Sequence, residues 1–176
     1  SFDLANKHLY IVMELMAHGS LYRYISDFDG WDHPTASSFR LPLQIKLLKD
    51  IIAGIAFLHS ENIIHRDLKS PNVLLGGSER RLTAKIADLG LAQDNKKPIE
   101  IPVPEPVLLL PWSAPEQGNA DIPLHTAIDI FSFGVIMLEI ISKATAPIPN
   151  YGDLNKEQII PASCPYEISE LINQCG

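Results

Sequence analysis

Hydrophobic residues recur at two different spacings along this chain, and the spacing sets the expected elements. From Leu43 to Glu61, Ile45, Leu48, Ile52, Ile55 and Leu58 fall at helical intervals, while Lys46, Lys49 and Asp50 face elsewhere, as in an amphipathic helix. From about Ala127 to Ser142 the pattern is apolar all round, with Asp129 and Glu139 bracketing the run Ile130 to Leu138. That run is shorter than the roughly 20 residues a bilayer requires, so it predicts a helix buried in a protein core. Thr126 and Asp129 have capping-box spacing at its start, with Asp in place of the usual Glu. Tyr166 to Cys175 predicts a last amphipathic helix with Ile168, Leu171, Ile172 and Cys175 on one face.

The remaining stretches are shorter. His8 to Leu15, rich in β-branched and aromatic residues, predicts a buried strand. Ser20 is placed to cap a short helix through Asp27. Val73 to Leu75 and Ala84 to Ile86 predict two short strands joined by a turn over Gly76 to Arg81. Asp29 to Arg40 has no period and predicts a surface loop. Prolines at 98, 102, 104, 106 and 111 make Gln93 to Pro111 irregular. Asn155 to Ile160 predicts one or two helical turns stopped by Pro161. There is no internal repeat.

Composition narrows the class. With 46% hydrophobic and 20% charged residues, the chain can bury a core of one domain or a large part of one. The net charge of −7 argues against nucleic acid or an anionic membrane as the main partner. Cys164 and Cys175 show neither metal-ligand spacing nor a disulfide framework, which suits reduced thiols in the cytoplasm. No signal peptide is visible at Ser1.

Candidate chemistry concentrates at His65-Arg66-Asp67-Leu68-Lys69-Ser70-Pro71-Asn72. The apolar pairs Ile63-Ile64 and Val73-Leu74 flank it, and such flanks pin a polar loop to a packed frame. A carboxylate close to an acceptor hydroxyl can receive its proton, an ammonium two residues on can balance developing negative charge, and an amide oxygen suits Mg²⁺. This loop resembles the protein-kinase pattern H-R-D-L-x-x-x-N, and its wording from Leu68 to Asn72 is most similar to the tyrosine-kinase-like group. Asp88-Leu89-Gly90 resembles the kinase D-F-G motif with Leu for Phe, and Ala114-Pro115-Glu116, preceded by Trp112-Ser113, resembles A-P-E. Asp129-Ile130-Phe131-Ser132-Phe133-Gly134 is similar to the opening of the family's central buried helix, and Glu14-Leu15-Met16 to the hinge between its two lobes.

The resemblance implies an α+β protein-kinase-like fold, mainly the helical large lobe. Residues 1–16 would be the end of the small lobe with the hinge, and 17–176 the large lobe, with a catalytic loop at 65–72 and an activation segment at 88–116. It implies ATP and Mg²⁺ as cofactors and a protein substrate. Asp67 would be the base and Lys69 would lie on the γ-phosphate. Arg66 would receive an activating phosphate, and Asn72 and Asp88 would hold the metal. Met13 as gatekeeper, Glu14, Met16, Ser20 and Leu74 would line the nucleotide site. Asp129 would hydrogen-bond the catalytic-loop backbone, and Lys69 favours a Ser/Thr acceptor over Tyr.

Several departures temper this. No G-x-G-x-x-G occurs in these 176 residues and no V-A-x-K strand; Thr83-Ala84-Lys85 only echoes the latter. No arginine follows to pair with Glu116. The chain is therefore expected to be part of a kinase and close to inactive alone. No Ser, Thr or Tyr lies between Leu89 and Trp112, so either Glu100 or Glu105 would stand in for a phosphate on Arg66, or Arg66 would be idle. Leu108-Leu109-Leu110-Pro111 replaces the Gly-Thr that usually precedes the Trp. These departures motivate one alternative, a pseudokinase-like module that binds partners without phosphoryl transfer. A small-molecule kinase of related fold fits the A-P-E and Asp129 motifs less well.

Overall fold

The computed structural model describes residues 2–3, 8–9, 11–27, 41–78, 81–96, 111–118, 125–143, 160 and 164–175. The expected loop at 29–40, the prolines from 98 to 106, the stand-ins Glu100 and Glu105, the segment 108–110 and the turn at 155–159 lie outside them.

The frame is two helices crossed by a hairpin. The longer helix, α2 (Leu41–Ser60), packs on strand β5 (Arg81–Ile86), which pairs with β4 (Val73–Ser78), and on helix α3 (Ala127–Ser142). Leu47, Ile51, Leu75, Leu82, Val135, Ile136 and Leu138 meet in the core, each at most 2% exposed. Burying such side chains stabilises by about 1.5–3 kcal/mol apiece before the entropy of ordering them is counted.

The buried face of α2 is Gln44, Leu47, Leu48, Ile51, Ile55 and Leu58, which corrects the stripe read from the sequence. Ile45 is only partly buried and Ile52 is 38% exposed. The rotation has a physical cause, since α2 serves both α3 and β5. Toward α3, the buried Gln44 amide donates to the Ile140 carbonyl at 2.8 Å. Toward β5, Asp50 accepts the Ala84 N–H at 3.0 Å and pairs with Lys46.

The hairpin is longer than expected, because Gly76-Gly77-Ser78 continues to pair with Arg81-Leu82-Thr83. Gly77 permits this. Its φ is +88°, and a Cβ there would stand 2.3 Å from the Arg81 carbonyl oxygen. Gln93 corrects the irregular reading of its segment: β6 (Gln93–Asp94) pairs antiparallel with β3 (Ile63–Ile64), and Asn95 N–H extends the contact to the Asn62 carbonyl at 2.7 Å.

The strand expected at His8 to Leu15 is a further correction. Only His8–Leu9 (β2) is strand, paired with Phe2–Asp3 (β1). Residues 11–16 have no regular structure, and Ile11, Val12, Met13 and Leu15 are 71–88% exposed. Apolar β-branched composition makes a buried strand only where layers cover both faces, and no described residue supplies them here. Helix α1 (Leu21–Ser26) forms as expected, its N–H at Arg23 donated to Ser20 Oγ at 3.3 Å.

Helix α3 has the predicted bounds but not the predicted cap. Thr126 is helical in its backbone and makes no side-chain cap bond, and the Asp129 carboxylate is used elsewhere. The last helix, α4 (Tyr166–Gln174), buries Ile172 against α3, with Ile168 and Cys175 partly covered, but leaves Leu171 51% exposed. Gly134 lets the two approach, since a Cβ there would lie 2.7 Å from Cys175 Cβ. Gly134→Val is therefore expected to destabilise the chain by about 2 kcal/mol through overpacking. Urea unfolding measures this; an unchanged midpoint would mean that α4 does not dock there.

Candidate active site

Residues 65–72 leave β3 and re-enter the frame at β4, and their shape is set from below. The Asp129 carboxylate, 1% exposed at the start of α3, accepts the backbone N–H of His65 at 2.9 Å and of Arg66 at 3.0 Å. Its Oδ2 also meets His59 Nε2 at 2.8 Å. A buried carboxylate that accepts from several donors fixes the peptides that supply them. Arg66 turns here with φ +69°, a conformation uncommon outside glycine and costly unless its surroundings impose it.

Arg66 is held at three points. Besides the Asp129 bond to its N–H, its carbonyl accepts from Gln117 Nε2 at 3.1 Å, and its Nη1 donates to Gln93 Oε1 at 3.1 Å. Gln117 Oε1 accepts the Ala114 N–H at 2.8 Å, tying the Ala114-Pro115-Glu116 turn to the loop. A neutral amide thus holds the guanidinium.

His65 is buried and faces the other way. Its Nδ1 accepts the Asp67 N–H at 3.3 Å, so Nε2 carries the proton and donates to the Ala87 carbonyl at 3.0 Å. Ala87 N–H in turn reaches the Asn72 carbonyl at 2.9 Å. These bonds place Asp88, one residue on, beside the loop.

The Asp67 carboxylate is the centre of the group. Lys69 Nζ donates to both its oxygens, at 2.9 and 2.8 Å, and Asn72 Nδ2 donates to its Oδ2 at 3.0 Å and to its backbone carbonyl at 2.9 Å. The Asn72 Oδ1 accepts no hydrogen bond among the described residues. Asp88 has φ +64°, is exposed, and accepts the Gly90 N–H on Oδ1 at 3.2 Å. No hydrogen bond joins it to Asp67 or Asn72 among the described residues. Asp67, Lys69 and Asn72 are thus in direct contact, and Asp88 adjoins them through the backbone of Ala87.

The residues expected to line a nucleotide divide. Ser20 bridges to Leu74 across an antiparallel pair, and Leu75 exchanges bonds with Gly19 and His18 at 2.8 and 3.0 Å. Met16 lies against Gly76, whose missing Cβ leaves room for its sulfur. Met16, Ser20 and Leu74 therefore share one wall. Met13 is 71% exposed, and the Glu14 side chain pairs with Lys85 on the surface. Sequence reading missed Gln93 and Gln117, which reach Arg66 from 27 and 51 residues away, and His59, which meets Asp129 across 70 residues. No local pattern in the sequence signals them.

A family model for protein tyrosine and serine/threonine kinases matches residues 2–176. The chain belongs to that family. A probable serine/threonine-protein kinase of Dictyostelium discoideum is 35% identical over 179 aligned residues, covering 95% of this chain and 38% of that protein. The chain thus spans well under half the length of this curated relative. The architecture is the α+β protein-kinase-like fold that the motifs implied, and no described helix is long and apolar enough to cross a membrane. Glu116 has no ion-pair partner among the described residues.

In this kinase chain the Asp129 carboxylate is the anchor of the loop. Asp129→Ala would leave the N–H groups of His65 and Arg66 without acceptors, at about 1–3 kcal/mol for each unsatisfied group. We expect about 3 kcal/mol of lost stability in urea unfolding; a loss within about 0.5 kcal/mol, the size of an ordinary surface substitution, would contradict the anchoring role.

Proposed function

We propose that this chain carries the end of the small lobe with the hinge (residues 1–16) and the large lobe (17–176) of a protein kinase that moves the γ-phosphoryl group of ATP to Ser or Thr of a protein. The observation that carries the reading is the Asp67 carboxylate held at hydrogen-bond distance by both Lys69 and Asn72. Phosphoryl transfer asks little covalent chemistry of the protein and much positioning and charge balance. The bond from the γ-phosphorus to the ADP oxygen breaks, a bond to the acceptor oxygen forms, and the acceptor proton passes to Asp67. Lys69 then balances charge on the transferring group. Arg66, pinned at three points, sets the direction of the Asp67 backbone.

A Mg²⁺ site fits the donors present. The Asn72 Oδ1, which accepts no hydrogen bond among the described residues, and the exposed Asp88 carboxylate are hard oxygen ligands, and Mg²⁺ takes one or two such groups with phosphate and water. When bound, the ion would neutralise phosphate charge. Met16, Ser20 and Leu74 form the wall proposed for the adenine side. The Ser/Thr acceptor is supported by Lys69 and by the description of the Dictyostelium relative. Cys164 and Cys175 form no disulfide among the described residues, which supports a reducing cytoplasmic setting.

These 176 residues hold no Gly-rich phosphate loop and no strand lysine, so the chain alone is expected to transfer phosphate near background. The pseudokinase-like alternative is favoured by one feature, an activation segment without Ser, Thr or Tyr between residues 89 and 112. The intact Asp67, Asn72 and Asp88 set favours the enzyme. Radiolabelled ATP with a Ser/Thr peptide decides between them. In a polypeptide that joins this chain to a small lobe with a Gly-rich loop and strand lysine, transfer should be robust. Asp67→Asn should then lower it about 10²–10⁴-fold. No transfer, or a rate indifferent to Asp67→Asn, would favour the binding module.

A further inference from the structure

The base of α3 explains one end of the catalytic loop, and a second buried carboxylate on the same helix touches the other end. Glu139 is 1% exposed. Its Oε1 accepts Ser70 Oγ–H at 3.0 Å, and its Oε2 accepts the Trp112 indole N–H at 2.9 Å. Ser70 is 0% exposed and opens the turn Ser70–Asn72, in which the Asn72 N–H closes on the Lys69 carbonyl at 2.9 Å. Trp112 stands two residues before Ala114, and its own carbonyl accepts Ser132 Oγ–H at 2.7 Å. Asp129, Ser132 and Glu139 are three and seven residues apart, so they lie along one stripe of an otherwise apolar helix.

We infer that Glu139 is a positioning residue: its carboxylate joins the turn that carries Lys69 and Asn72 to the segment around Trp112, and so sets the distance between Asp67 and the wall beside Ala114-Pro115-Glu116. A buried carboxylate is costly without donors, and here each oxygen takes one from a different segment. A shift of either segment takes a donor away from that buried charge. The two sides are therefore expected to order together, although Ser70 and Trp112 are 42 residues apart and no hydrogen bond links them directly. On the kinase reading, on which only this consequence rests, Glu139 fixes where an acceptor hydroxyl meets Asp67. The coupling itself does not depend on that reading.

The test uses the whole chain and two substitutions that keep the packing. Ser70→Ala removes only the hydroxyl, and Trp112→Phe keeps an aromatic ring but removes the N–H. Nuclear magnetic resonance follows two reporters, the Trp112 indole N–H and the Asn72 side-chain amide that bonds Asp67. Ser70→Ala should shift the Trp112 indole resonance and raise its hydrogen exchange about tenfold, the loss expected when one bond to a charged group weakens. Trp112→Phe should do the same to the Asn72 amide, and the double variant should exchange no faster there than Trp112→Phe alone. Amides of α4 serve as the control and should not change, which separates coupling from general loosening. If each substitution alters only its own side, or if α4 changes as much as the reporters, the inference is overturned. Failure of phosphoryl transfer in the Asp67→Asn comparison would leave these outcomes unaffected, so the two readings fail separately.

Discussion

A carboxylate at the start of a buried helix holds two consecutive peptide N–H groups of the loop above it. Asp129 can do this because α3 is apolar and enclosed, so its buried carboxylate needs donors from outside the helix and takes them from the loop N–H groups and from His59. The loop can accept it because Arg66 takes a left-handed backbone conformation that presents its N–H and that of His65 toward the same oxygen pair. Strain at Arg66 and burial at Asp129 are thus resolved by the same bonds. Every other feature of the site sits on this arrangement. The His65 ring is aimed at Ala87, Asp67 is turned toward Lys69 and Asn72, and Asp88 follows from the placement of Ala87.

The polar stripe of α3 also answers a packing question. A core helix surrounded by Leu, Ile and Val usually excludes charge, since an unpaired buried carboxylate is far costlier than a buried methyl group. Here Asp129, Ser132 and Glu139 each end on hydrogen-bond donors or acceptors supplied by segments that have little regular structure of their own. The loop 65–72 and the Trp112 segment form few ladder bonds. Side chains from the helix replace them, and this gives polar loops fixed positions without strands or helices to carry them.

The sequence made the chemistry more legible than the packing. Asp67, Lys69, Asn72 and Asp88 could be named because one short loop and one tripeptide carry them, and the contact among Asp67, Lys69 and Asn72 follows from that proximity. The bounds of α3 were readable from an unbroken apolar run. The face of α2 was not, because that helix packs on two neighbours and a single-stripe reading chose Ile45 and Ile52 over Leu47 and Ile51. The capping box at Thr126 had the right spacing but lost to a tertiary partner, as Asp129 gains more from two loop N–H groups than from its own helix end. Residues 11–15 read as buried from composition alone, and composition does not say whether covering layers exist. Gln93, Gln117 and His59 carry no local signal, since what makes them functional is the fold that brings them to Arg66 and Asp129.

If α3 anchors the loop as described, the loop should be as hard to open as the helix. Native-state hydrogen exchange measures this residue by residue, because loop amides ordinarily exchange through small local openings while core helix amides wait for global unfolding. The account predicts that the amides of His65, Arg66 and Asn72 exchange in the slowest class, together with Ile136 and Leu138 of α3. Exchange of those loop amides at the rate of an exposed turn amide such as that of Leu91 would show that the carboxylate bonds do not hold the loop, and would contradict it.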